Sequence, residues 1–480
     1  MGWMYIVGGV YLLILLAVCL RIIYETRSAT KTMAYLLLAV FIPVAGIIFY
    51  LAFGINFWKT RSYSSKADED EKLLEQLKRE LKIYESETVL PAELPDENRE
   101  LAVMLQKGLR SPLTRRNKLK LLINGEEKFP EVLEAIRNAK HHIHIQYYIF
   151  AQDTIGEQIE ELLIKKASEG VKVRFIYDDF GSPNIKKKIE ERMRKAGIEI
   201  YPFQKVMFYL LANRLNYRNH RKTLIIDGQT AFTGGINVCD KYINNGKQKL
   251  FWRDTHLRID GPGVFYLQYL FLTDWKFCCN KDVSLEEFQF KAPTQHKEDS
   301  FLQVAASGPE SKQPSVLFSL LQAIFLAKKE ILITTPYFIP GDSILEALKI
   351  AALSGLPVKL LVPGVCDSKL VNAASKSYYE DLLCAGVEVY VYQKGFVHAK
   401  TLVADGNLSI IGTANMDYRS FELNFEANVL IYDRPFAEEL RSVFYKDIEE
   451  AEQIDKDEWC KRPAHVQLPE RLARLFSHVL

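Results

Sequence analysis

A chain of 480 residues that is 48% hydrophobic is long enough for two or three domains with substantial cores. Its 62 basic and 60 acidic residues nearly cancel, which excludes the global basic field of a nucleic-acid binder. Seven cysteines, odd in number and without paired CxxC spacing, argue against a disulfide framework or a zinc site and lean toward a reducing compartment.

The N-terminus is the most apolar region. Trp3–Leu20 carries no charge, a polar loop holds Arg21, Glu25, Arg27 and Lys31, and Met33–Trp58 is again uncharged. Each run can cross about 30 Å of hydrocarbon, so residues 1–58 are read as a two-helix transmembrane hairpin. No basic n-region precedes the first run and a second span follows it, unlike a cleaved signal peptide. A hairpin returns the chain to its starting side. Charge does not choose that side, because Arg21, Arg27 and Lys31 balance Lys59, Arg61 and Lys66. Cysteine usage tips it to the cytoplasm. Tyr5, Trp58 and Tyr63 fit interfacial anchors.

Residues 59–120 form a charged linker. Leu73, Leu74, Leu77 and Leu81 recur at helical spacing within Asp68–Lys82, predicting an amphipathic connecting helix. Arg110, Arg115, Arg116, Lys118 and Lys120 form a basic cluster, either solvated or resting on anionic headgroups.

The remainder repeats itself. Residues 135–145 return at 323–333, 170–176 at 355–361, and 196–201 at 385–390. Helical stretches (156–168 and 184–195; 343–353 and 373–384) alternate with β-branched strands ending at glycines. That order is α/β, with mixed sheets flanked by helices, in lobes at 121–290 and 291–480.

Each repeat carries the same pattern. His220-Arg-Lys222-Thr-Leu-Ile-Ile-Asp227-Gly answers His398-Ala-Lys400-Thr-Leu-Val-Ala-Asp405-Gly, and Gly234-Gly235-Ile-Asn237 answers Gly412-Thr413-Ala-Asn415. Strand alternation puts His and Lys on one face. Two copies face to face would set two His, two Lys and two Asn around one anion, equipment for displacement at phosphorus without a metal.

This doubled HxKx4Dx6GxxN signature resembles that of the phospholipase D superfamily. Within it the whole chain, membrane hairpin included, is similar to the bacterial cardiolipin synthases. The resemblance implies two homologous lobes about a pseudo-twofold, with the signatures at their interface. It implies reversible phosphatidyl transfer between two phosphatidylglycerols, giving cardiolipin and glycerol through a phosphohistidine. Membrane-bound hydrolysis of phospholipids is the alternative. Expected partners are phosphatidylglycerol and other anionic membrane phospholipids, with glycerol as product and neither nucleic acid nor cofactor; the oligomeric state is open.

On this reading Lys222, Lys400, Asn237 and Asn415 bind the non-bridging oxygens, which gain charge in the transition state. Thr413 adds a hydroxyl where the first lobe has Gly235. One His attacks and the other protonates the departing alkoxide. The motif's symmetry hides which does which; the assignment adopted makes His220 the nucleophile and His398 the acid/base. Glu426 stands where the family keeps a carboxylate partner for His398. Trp252-Arg-Asp254-Thr-His256-Leu aligns with Asn424-Phe-Glu426-Ala-Asn428-Val, making Asp254 the counterpart for His220. Asp227 and Asp405 complete the catalytic signatures as structural members, too far along their strands to reach phosphate.

His141, His142 and His144 look like metal ligands, yet their counterparts are Lys329, Glu330 and Leu332, so no metal is assigned. Aromatic strand ends at Tyr147–Phe150 and Pro336–Pro340 either line the pocket or pack in cores. The insertion at 203–218, without equal in the second lobe, is read as an interfacial element admitting lipid or as a lobe-capping helix.

Overall fold

The computed structural model describes residues 2–26, 29–42, 44–53, 91–185, 187–203, 217–246, 248–279, 300–309, 311 and 313–478. The chain divides into two compact units, residues 1–69 with 205–217, and residues 70–204 with 218–480. The expected helix at 68–82 and nearly all of the 203–218 insertion lie outside the described residues, as do Trp58 and Tyr63.

The first unit holds α1 (Gly2–Glu25), α2 (Ala29–Phe41) and α3 (Ala45–Phe53). Tyr5–Glu25 has mean hydropathy 2.6, and among the described residues it alone is both long and apolar enough to cross a bilayer. Leu12, Leu13 and Leu16 stand exposed along it, a surface suited to lipid rather than water. The expected second span is broken. α2 ends at Phe41 and α3 begins at Ala45, with Val44 before it at φ 63°. Ile22, Ala39, Ile47 and Tyr50 pack together across the three helices.

The second unit carries the sheets. Its first half contributes β1 (Thr114–Ile123), β2 (His142–Tyr147), β3 (Lys172–Asp178), β4 (Glu199–Phe203), β5 (Thr223–Ile226), β6 (Thr230–Gly234), β7 (Phe251–Arg253) and β8 (Thr255–Asp260). The second half contributes β9 (Ser300–Ser307), β10 (Ile331–Thr334), β11 (Phe338–Ile339), β12 (Val358–Pro363), β13 (Glu388–Tyr392), β14 (Gly395–Val397), β15 (Thr401–Ala404), β16 (Leu408–Gly412), β17 (Met416–Asp417), β18 (Glu426–Tyr432) and β19 (Ala451–Gln453). β1 therefore begins inside the stretch read as linker, and Asp96–Gly108 is helical.

A single 15-stranded sheet runs through both halves, joined where β1 pairs antiparallel with β9. Outward from that seam the halves match: β1-β8-β6-β5-β2-β3-β4 on one side, β9-β18-β16-β15-β10-β12-β13 on the other, with β19 added at the edge. Each half is mixed, its last three shared strands parallel and the rest antiparallel. Parallel pairs need helical crossovers, here Thr154–Ser168 and Gly341–Leu353. The helix expected at 373–384 is two, Lys369–Lys376 and Tyr379–Ala385.

Each half has its own core, one around Ile143, Phe175, Leu224 and Phe232, the other around Ile333, Leu360, Leu402 and Ile410. The runs His142–Tyr147 and Ile331–Thr334 are buried throughout, as strands covered on both faces must be.

Candidate active site

β5 and β15 carry the two signatures, and each ends in the same hairpin turn. Asp227 and Gly228 have φ 54° and 65°, Asp405 and Gly406 56° and 64°, the left-handed pair that a type I′ turn requires. The Asp227 carboxylate accepts from the backbone N–H groups of Lys140, His141 and His142 at 2.7–2.9 Å. Asp405 does the same for Lys328, Lys329 and Glu330. Both tie the hairpin to the start of the neighbouring strand, and neither lines the cleft that holds His220 and His398.

The histidines precede their strands, where each half of the sheet reaches the other. Asn219 bridges in parallel to Phe425, and the His220 N–H donates to the Phe425 carbonyl at 3.0 Å. In the corresponding place β14 pairs in parallel with β7, and the His398 N–H donates to the Arg253 carbonyl at 2.7 Å. Each histidine is thereby fixed beside the residue that follows, a carboxylate of the opposite lobe. His220 Nδ1 lies 2.9 Å from Glu426 Oε1, and His398 Nδ1 lies 2.7 Å from Asp254 Oδ2. This corrects the expected pairing: Glu426 orients His220, not His398, and Asp254 orients His398, not His220.

Both carboxylates are fully buried. Burial pulls Glu426 upward, but His220, Lys222 and Thr413 together hold it below its usual range. Burial raises Asp254 to about 6 against the pull of Lys400. An ionised carboxylate only accepts, so each Nδ1 carries the hydrogen and each Nε2 keeps its lone pair for chemistry. Burial also lowers both imidazoles, His398 well below its ordinary value, with Lys400 adding to the effect.

Lys222 Nζ donates to the His220 carbonyl at 2.7 Å, and Lys400 Nζ to the His398 carbonyl. Burial brings Lys222 to about 7 and Lys400 to about 8, and Lys400 lowers Lys222 further. Glu426 and Asp254 draw both lysines the other way, toward the charged form.

Thr413 departs from expectation. Its hydroxyl donates to Glu426 Oε2 at 2.5 Å and its oxygen accepts from the Ala427 N–H, so it holds the carboxylate rather than the phosphate. Gly235 is its counterpart for a steric reason: a Cβ there would come 2.0 Å from Asp254 Oδ1. Asn237 and Asn415 line the cleft, each with one amide hydrogen engaged, by Tyr242 Oη at 2.9 Å and by Asp417 Oδ2 at 3.0 Å. One N–H of each remains for an anion.

The cleft between the lobes holds about 390 Å³. Tyr148 meets His220 edge-on, ring centroids 5.0 Å apart, whereas Tyr147 and Phe338 belong to the cores. Tyr337 lines the cleft too. Among the lining residues are Lys241, Asp367 and Arg419, to which the sequence reading gave no role, and Arg218, which it read only as part of the 203–218 insertion. A signal existed for three. Lys241 and Arg419 each stand four positions after the motif asparagine, and Arg218 stands two before His220, on the same face by alternation.

The rings of His142 and His144 are buried and share Gln268, at 3.2 and 2.6 Å. Burial lowers His142 to about 4. Among the described residues no group of three or more His, Cys, Asp or Glu is arranged to hold a metal. Asp455 caps the helix Lys456–Cys460.

Residues 132–250 and 320–448 match the family described as "Cardiolipin synthase, PLD-like domain", and residues 11–54 match "Phospholipase_D-nuclease N-terminal". A cardiolipin synthase of Geobacillus kaustophilus is 40% identical over 465 residues, 96% of this chain and 91% of that protein. Cardiolipin synthase 2 of Bacillus anthracis is 41% identical over 466 residues, 96% and 88% of the two chains. The solved phosphatidylserine synthase of Haemophilus influenzae Rd KW20 shares the fold, with TM-score 0.61 at 13% identity over 79% of this chain and 100% of that one.

Proposed function

The chain belongs to the bacterial cardiolipin synthases, phosphatidyltransferases of the phospholipase D superfamily, and from that premise we propose how its residues divide the reaction. The donor is phosphatidylglycerol, its phosphodiester seated between Lys222 and Lys400. His220 Nε2 attacks phosphorus; the N–P bond forms as the P–O bond to glycerol breaks. His398 Nε2 gives its proton to the departing glycerol oxygen. A second phosphatidylglycerol then loses a hydroxyl proton to His398, its oxygen bonds to phosphorus, and the N–P bond breaks to release cardiolipin. Lys222, Lys400 and the spare amide hydrogens of Asn237 and Asn415 meet the charge that builds on the non-bridging oxygens. Glu426 and Asp254 keep each ring in the tautomer that presents Nε2.

What supports this most is that both histidines line one cleft, each held by the other lobe's carboxylate, with a buried lysine two residues on donating to its backbone carbonyl. Burial and then the repulsion of Lys400 and Lys222 lower His398, and an anion between those lysines offsets the repulsion, bringing it toward the protonated form the first step needs. For location, α1 and the broken pair after it are read as a multi-pass anchor in the cell membrane, with the lobes on the cytoplasmic side; the scattered cysteines favour that side.

A phosphohistidine roughly conserves the phosphodiester's energy, so the reaction runs both ways. Enzyme given cardiolipin and excess labelled glycerol should place label in phosphatidylglycerol, with phosphatidic acid a minor product. Consumption of cardiolipin to phosphatidic acid without labelled phosphatidylglycerol would mean a water-using phospholipase instead.

A further inference from the structure

The signatures repeat, but the walls of the cleft do not. At the His220 end stand Arg218 and Arg419, both near enough to act on Tyr148, which meets the His220 ring edge-on. Arg218 occupies the position two before its histidine; the equivalent in the other lobe is Phe396. At the His398 end the wall is aromatic and acidic. Phe396 lies 5.8 Å from the His398 ring and 6.4 Å from Tyr337, whose hydroxyl donates to Asp367 Oδ2 at 2.7 Å. Among the described residues Asp367 Oδ1 has one long contact, 3.7 Å, from the Cys366 thiol. Lys241 Nζ rests 4.0 Å over the Trp252 ring and makes no ion pair among the described residues.

A carboxylate in a cleft built for phosphodiesters repels the anion, and what it can accept from is a hydroxyl. We propose that the His398 end is a glyceryl subsite, in which Asp367 is the specificity-determining acceptor for glycerol hydroxyls and Lys241 meets the acceptor lipid's own phosphodiester. The inference rests on the phosphatidyl-transfer reading and deepens it. The glycerol that leaves and the glyceryl headgroup that attacks must both pass beside the same acid/base, so one subsite serves both. Tyr337, whose phenol is held protonated by burial and by Asp367, fixes one carboxylate oxygen and leaves the other for substrate. Only the incoming lipid carries a second phosphate, and Lys241 is the cation on that wall. The His398 end being the glyceryl end also places the acid/base there and the nucleophile at His220.

The test is competition between acceptors. Full-length enzyme in detergent micelles with cardiolipin receives equal concentrations of labelled glycerol and methanol, and labelled phosphatidylglycerol is compared with phosphatidylmethanol. Asp367→Ala should lower that ratio by about tenfold or more, the loss expected for a hydrogen bond to a charged group. The ratio does not depend on how much variant folds. An unchanged ratio, or a variant inactive toward both alcohols, removes Asp367 from glyceryl recognition. Wild-type enzyme yielding neither product would instead refute phosphatidyl transfer itself. With phosphatidylglycerol as donor, Lys241→Met should shift acceptor choice from phosphatidylglycerol toward free glycerol by several-fold. No shift removes Lys241 from the subsite.

Discussion

Glu426 and Asp254 are alike in burial and in distance to their histidines, yet under the proposed division of roles they support different steps. If His220 is the nucleophile, Glu426→Gln weakens attack whatever group leaves. If His398 is the acid, Asp254→Asn matters only when the leaving oxygen needs a proton. Phosphatidylglycerol and a phosphatidyl p-nitrophenol ester separate the two. Asp254→Asn should lose about 10²-fold or more with the first and recover most of it with the second, whereas Glu426→Gln should stay slow with both. The reverse pattern would exchange the roles of the two histidines. Contacts within each lobe explain why Thr413 and Gly235 differ: Glu426 takes the Thr413 hydroxyl, whereas Asp254 lies where a side chain at Gly235 would stand.

Short elements carry this precision. β7 and β14 pair over only three residues, Phe251–Arg253 with Gly395–Val397, and they set His398 against Asp254. A Cβ at Gly395 would come 2.1 Å from the Phe251 carbonyl oxygen, so Gly395→Val forces the ladder apart. The β1–β9 seam and both cores lie elsewhere, so the fold should survive. A displacement of about 1 Å at a catalytic group is worth about 10²-fold in rate. The expected result is turnover reduced by that factor with the near-ultraviolet dichroism of the wild type; unimpaired turnover would show that this ladder does not position His398. The N-terminal elements teach a related point. Composition alone made Met33–Trp58 one span, but its described part holds the end of one helix at Phe41 and another from Ala45 to Phe53, because an apolar count does not register where a helix stops.

At the scale of the whole molecule, the proposed anion site takes one ammonium from each lobe. Lys222 at about 7 and Lys400 at about 8 have depressed values, so each is charged below that pH and neutral above it. Affinity for inorganic phosphate, measured as competitive inhibition, should therefore be full near pH 6 and fall as pH rises through 7 to 8. Affinity that is flat to pH 9 would mean the lysines stay charged and do not sense each other. The duplication, both HxK signatures, the Asp-Gly hairpin turns and the apolar start were legible in the sequence, because each is a local pattern: strand alternation, φ above zero at a turn, or a run without charge. The two carboxylates were legible too, as residues. Which histidine each one holds was not, since the repeat aligns a lobe with itself while the hydrogen bonds cross between lobes through backbone ladders of residues about 145 to 205 positions apart. Thr413's true partner, the service of Arg218, Lys241, Asp367 and Arg419 in one cleft, and the chemical difference between its two ends were likewise decided by packing: a pattern within each lobe records what that lobe offers, and only the interface determines what it meets.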